Sequence, residues 1–164
     1  MSAALLVPDS GPLIALARVA LLDLPALLYG QVLVPAVVWD EVLRRPPEQE
    51  RVCLQAALAA GKLKIEPEPR SPAQPLQDAR LGAGERAAIA LARLRNAQVL
   101  IDERRARRAA ADAGLLVVGT VGLLVRGRQL GLVGPVRPII DALRRSGYHL
   151  GDALTARALC ELGE

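Results

Sequence analysis

The chain has 164 residues, enough for one domain with its own core; 52% are apolar but only 2% are aromatic, so that core must be built from Leu, Val, Ile and Ala. The net charge of +4 comes almost wholly from arginine, with lysine only at Lys62 and Lys64; this suits a nucleic-acid partner without requiring one. No stretch is long and apolar enough to span a membrane, no signal peptide is evident, and Cys53 and Cys160 lack disulfide or zinc-site spacing, so a reduced, cytoplasmic protein is expected.

Residues 3–7 read as a first strand, with Pro8 biasing Val7 toward extended geometry. Ser10-Gly11-Pro12 opens a helix that ends near Leu22 or runs, kinked at Pro25, toward Gly30. Residues 31–34 form a second strand, and Pro35 starts a helix that stops before Pro46-Pro47. A helix over 48–60 closes at Gly61, and 62–66 is a short extra strand. Residues 67–78 carry four prolines and read as a surface loop. A helix over 82–97, a strand over 98–101, a helix over 103–113 and a strand over 115–118 follow. The chain ends in helices over 120–130, 136–146 and 152–162. Strands alternating with helices predict a single domain over 1–164: an α/β three-layer α/β/α sandwich with a mainly parallel central sheet of 4–5 strands. Right-handed crossovers put every strand's C-terminal end on one edge, where the sites of such folds gather.

Four acids stand out against this frame. Asp9 and Asp102 each follow a strand and precede a helix, so both belong to the C-terminal edge; each can also be read as a helix cap. Glu41 lies four residues after Val37 and three after Val38, on the apolar side of its helix. A glutamate there needs a partner, and Arg45 is an alternative to a metal. Glu85, followed at helical spacing by Ala88 and Ile89, has the same placement, although the helix dipole also favours an acid in a first turn. If the four meet, two carboxylates about 5 Å apart repel by roughly 3 kcal/mol at an effective dielectric of about 20. Protonation relieves part of that, and a divalent cation relieves it more directly. Oxygen ligands without His or Cys favour Mg²⁺ or Mn²⁺ over zinc.

Gly82-Ala83-Gly84-Glu85-Arg86-Ala87 mimics a dinucleotide fingerprint, with Asp102 twenty residues past Gly82. A proline-rich loop precedes it where a strand is needed, and Glu85 would place a negative charge where the pyrophosphate should sit.

The acids recur in ordered pieces: Val7-Pro8-Asp9-Ser10-Gly11-Pro12-Leu13-Ile14, then Val34-Pro35-Ala36-Val37-Val38-Trp39-Asp40-Glu41, then Gly82-Ala83-Gly84-Glu85, then Leu100-Ile101-Asp102-Glu103, and last Gly119-Thr120-Val121-Gly122. In order and setting they resemble the PIN-domain nucleases, including VapC-like toxins, and in particular a less characterised PIN-like branch. Two departures are Ser10-Gly11 where Thr-Ser is usual, and Glu85 where many PIN toxins carry Asp. The resemblance implies a metal-dependent ribonuclease, with Asp9, Glu41, Glu85 and Asp102 as the catalytic set and Glu103 as an accessory. Asp9, Glu85 and Asp102 would hold Mg²⁺ or Mn²⁺, and Glu41 would orient or deprotonate the attacking water. It also implies a toxin role with a cognate antitoxin, and a homodimer. Arg104, Arg105, Arg107 and Arg108 follow Asp102 and could grip an RNA backbone, or could form a solvated helix face. Trp39, Tyr29 and Tyr148 are the only aromatic candidates for base stacking. The competing readings are a catalytically inactive PIN-like module that binds RNA or protein, and a structural cluster of acids locked by arginines.

Overall fold

The computed structural model describes residues 4–44, 46–69 and 78–164. Ala3, Arg45 and residues 70–77 of the proline-rich segment lie outside the described residues. In chain order the elements are β1 (Leu5–Pro8), α1 (Ser10–Arg18), α2 (Leu24–Tyr29), β2 (Gln31–Pro35), α3 (Ala36–Arg44), α4 (Glu48–Ala59) and β3 (Lys64–Glu66). They continue with α5 (Ala83–Arg95), β4 (Gln98–Leu100), α6 (Arg104–Asp112), β5 (Val117–Val118), α7 (Thr120–Gln129), α8 (Val136–Arg145) and α9 (Asp152–Leu162).

The strands pair in the order β3-β2-β1-β4-β5, all parallel. The sheet therefore grows outward from β1 in one direction, then resumes at β4 on the other side of β1. The gap between β1 and β4 is the topological switch point, where the connections leave in opposite directions and a crevice opens at the strand ends. Period-two alternation sorts the side chains between faces. Leu6, Val32, Val34 and Leu100 enter a large core with α1, α2, α3, α4, α7, α8 and α9. Val7, Leu33, Val99 and Ile101 enter a smaller core with α5 and α6. The result is the expected three-layer α/β/α sandwich, with five strands. Among the described residues no helix is long and apolar enough to cross a membrane.

Two local differences from the sequence expectations have clear causes. The first helix neither reaches Leu22 nor kinks at Pro25; it stops at Arg18. Ala20 adopts the left-handed region at φ 56°, Ala20 N–H donates to Ala17 O, and Leu21 N–H donates to Leu16 O, which together form a Schellman stop without glycine. Pro25 then stands in the first turn of α2, where its missing N–H costs no helical hydrogen bond. The second difference concerns Pro8, which is the last residue of β1 and is paired with Leu100. The ladder continues past it because Asp9 N–H donates to Leu100 O at 2.9 Å.

Candidate functional site

Asp9 and Asp102 leave the neighbouring strands β1 and β4, on the two sides of the switch point. Asp9 is buried at 8% exposure, and its Oδ1 has no hydrogen-bond partner among the described residues. An unpaired buried carboxylate oxygen is costly, and the group responds by holding its proton. Burial is the largest cause of a pKa raised from 3.8 to about 6. The nearby Ser10 N–H pulls the value down, while repulsion from Glu85, Glu41 and Asp102 pushes it up. The four sequence-singled acids thus share one electrostatic neighbourhood.

The other three acids are each held by the N-terminus of a helix. Asp102 Oδ1 accepts from Thr120 N–H at 2.7 Å, and Oδ2 accepts from the Thr120 hydroxyl at 2.5 Å. Thr120 is the first residue of α7, so Asp102 sits at the positive end of that helix. Glu41 Oε1 accepts from Gly84 N–H at 3.2 Å, in the first turn of α5. Glu85 turns back on that same helix end, and its Oε2 accepts from Gly82 N–H at 2.7 Å. Backbone N–H groups and hydroxyls, not arginines, hold these acids, and no ion pair involves them among the described residues.

Two glycines permit the close approaches. A Cβ on Gly84 would collide with the Glu41 carboxylate, its Cδ being only 3.0 Å away. A Cβ on Gly119 would stand 2.7 Å from Arg107 Nη1 and 3.0 Å from Asp102 Oδ1. The fifth sequence piece, Gly119-Thr120-Val121-Gly122, is therefore the turn that supports Asp102.

Among the described residues, no three His, Cys, Asp or Glu side chains are grouped so that they could hold a metal ion. As placed, Glu41, Glu85 and Asp102 are each engaged by donors instead. Each still keeps acceptor capacity: Glu41 and Glu85 through their second oxygens, and Asp102 through one remaining site on Oδ1. The all-oxygen donor set and the unpartnered Asp9 Oδ1 fit a hard divalent cation.

Flanking residues divide by role. Glu103 caps α6 by accepting from Ala106 N–H at 2.7 Å. Arg104, Arg105 and Arg108 are exposed on α6. Arg107 turns inward, and its Nη1 donates to Ile101 O at 2.8 Å. Tyr148, from the turn between α8 and α9, donates its hydroxyl to Asp102 Oδ2 at 2.5 Å. Burial and the adjacent Asp102 raise the Tyr148 phenol far above its usual range, so it stays a donor. Nothing in its spacing announces this contact, which spans 46 residues.

An all-parallel α/β/α sandwich with Asp9 and Asp102 on the two sides of its switch point has the architecture of a PIN-type fold. The family model described as DUF3368, PIN domain, matches residues 5–164, and the chain belongs to that family. Among solved structures, the fold is similar to a PilT N-terminus domain protein, SSO1118, from the hyperthermophilic archaeon Sulfolobus solfataricus P2. The TM-score is 0.57 at 15% identity, over 74% of this chain and 92% of that one, so the likeness is one of fold. No curated protein matches the chain.

Proposed function

We propose that the chain is a divalent-metal-dependent endoribonuclease whose centre is Asp9, Glu41, Glu85 and Asp102. The observation that carries this reading is Asp9: a buried carboxylate oxygen without a partner, its proton affinity raised first by burial and further by the charges of Glu85, Glu41 and Asp102. A domain of ordinary marginal stability has no folding reason to keep such a group. Asp9, Glu85 and Asp102 would hold Mg²⁺ or Mn²⁺, which when bound supplies charge neutralisation and polarises a phosphodiester. Glu41, anchored through one oxygen at Gly84, offers its second oxygen to orient a water or take its proton. The exposed Arg104, Arg105 and Arg108 start two residues beyond Asp102 and would take RNA phosphates.

The test is cleavage of several RNAs in Mg²⁺ or Mn²⁺ by the wild type, Asp9→Asn and Asp102→Asn. Loss of cleavage in both variants supports the reading; equal cleavage by all three points to a contaminant. Saturable RNA binding without cleavage would favour the inactive binding module. A toxin role with a cognate antitoxin, and a homodimer, are supported by the family resemblance; a cytoplasmic location is supported by the two free cysteines, Cys53 and Cys160. Co-purification with the product of the adjacent reading frame, and the mass of the particle in solution, test those two parts.

A further inference from the structure

The turn after α8 places one side chain of the C-terminal helices beside the acids. Gly147 adopts φ 84°, its N–H donates to Arg144 O, and Tyr148 N–H donates to Leu143 O, each at 3.0 Å. This Schellman stop sets the Tyr148 backbone. The same turn is tied to α1, because Arg18 Nη1 donates to Ser146 O and to Ser146 Oγ, both at 3.3 Å. The phenol also reaches α1: a Cβ on Gly11 would stand 3.4 Å from Tyr148 Oη, at ordinary contact distance. The hydroxyl therefore lies between the first turn of α1, which follows Asp9, and Asp102.

The acceptor capacity of Asp102 gives this contact a consequence. A carboxylate offers about four lone-pair sites, two on each oxygen. Oδ2 accepts from both Thr120 Oγ1 and Tyr148 Oη, and is filled. Oδ1 accepts from Thr120 N–H and keeps one site. We infer that Tyr148 is a positioning residue of the acid pocket: with Thr120 it locks Asp102 so that only Oδ1 is offered to a divalent cation. The inference rests on the metal reading proposed above.

Mn²⁺ titration of the full chain, read by the electron paramagnetic resonance of the free ion, tests it alongside the metal-free melting temperature. Tyr148→Phe removes one oxygen and keeps the ring. It should weaken Mn²⁺ binding about tenfold, as loss of an outer-shell partner does, while the metal-free chain still melts cooperatively. Tyr29→Phe is the matched control: it also loses one hydroxyl contact, to Gln98, at the opposite end of the sheet. Unchanged Mn²⁺ affinity in Tyr148→Phe overturns the positioning role, and so does an equal loss in Tyr29→Phe. Thr120→Ser, which keeps the hydroxyl, should bind Mn²⁺ better than Thr120→Val; the reverse order also counts against the lock. Absence of any saturable site in the wild type overturns the metal reading itself, and this inference with it.

Discussion

Thr120 grips Asp102 at two points, its N–H on Oδ1 at 2.7 Å and its hydroxyl on Oδ2 at 2.5 Å. The first bond belongs to the α7 backbone and survives substitution; the second belongs to the side chain. Thr120 is fully buried, and removing its hydroxyl takes one of two donors from Asp102 Oδ2, which Tyr148 then holds alone. Thr120→Val, nearly the same shape, should lose roughly 1–3 kcal/mol of stability. Thr120→Ser should lose much less. Urea denaturation of the three proteins checks the order, and equal stability of Val and Ser variants would show that the hydroxyl bond contributes nothing.

Gly84 gives a test in which the usual sign reverses. Replacing a helical glycine by alanine ordinarily stabilises by about 1 kcal/mol. Here the added methyl meets the Glu41 carboxylate, and the N–H that holds Glu41 belongs to the same residue. Gly84→Ala should therefore destabilise the chain and displace Glu41. In a Glu41→Ala background, the same change should recover the ordinary gain. A double-mutant cycle by thermal denaturation reads this directly, and additive effects would show that the two residues do not interact.

The acids were legible in sequence for different reasons. Asp9 and Asp102 close apolar β-runs, so their edge follows from strand order. Glu41 and Glu85 announce themselves by lying on apolar helix sides. What holds each acid was not legible. Arg45 as the partner of Glu41 lies outside the described residues, and the partner seen is Gly84 N–H, 43 residues away. Repulsion among the acids is met first by the N-terminal ends of α5 and α7, which leaves Asp9 as the member whose charge is least compensated. Tyr148 reads from sequence only as a candidate for base stacking, because an aromatic ring is visible there and a distant carboxylate is not. The stop after Arg18 is hidden for a similar reason: the left-handed residue is Ala20, where glycine would have been the signal.

Ala20 carries a prediction of its own. An L-residue in the left-handed region is disfavoured by roughly 1–2 kcal/mol, and glycine lacks the Cβ responsible. Glycine also makes the unfolded chain more flexible, which offsets part of the gain. Ala20→Gly should stabilise the protein by about 0.5–1 kcal/mol net and leave any activity unchanged. A fall in the denaturation midpoint would contradict the Schellman stop at this position.

The arginines of α6 divide by where they point. Arg104, Arg105 and Arg108 are exposed, whereas Arg107 is bound to Ile101 O. For single-stranded RNA each phosphate contact adds about 0.7 to the slope of log affinity against log salt. Replacing the three exposed arginines by glutamine should reduce that slope by about 2. Arg107→Gln should leave the slope nearly unchanged and lower stability instead. Filter binding across a salt series separates the two groups, and an unchanged slope in the triple variant would remove α6 from the RNA path.

Asp9 links stability to pH. Its carboxyl titrates at about 6 in the folded protein against an ordinary 3.8. Between those values the native state holds a proton that the unfolded chain has released, so stability falls as pH rises through this window and levels off above it. Two units correspond to at most roughly 3 kcal/mol. Asp9→Asn cannot ionise, so the wild type should match it near pH 4 and fall behind it by pH 7.5, in chelator. Taking the difference between the two proteins cancels carboxylates that titrate the other way, such as Glu66, whose pKa is lowered by its bonds to Lys64 and Arg95. A divalent cation that binds the ionised form should restore the wild type above pH 6 and do little for Asp9→Asn. Denaturation midpoints from pH 4 to 8, with chelator and with Mn²⁺, measure both effects. A wild type that tracks Asp9→Asn across the range would mean that Asp9 is already compensated, and would remove the observation on which the metal centre rests.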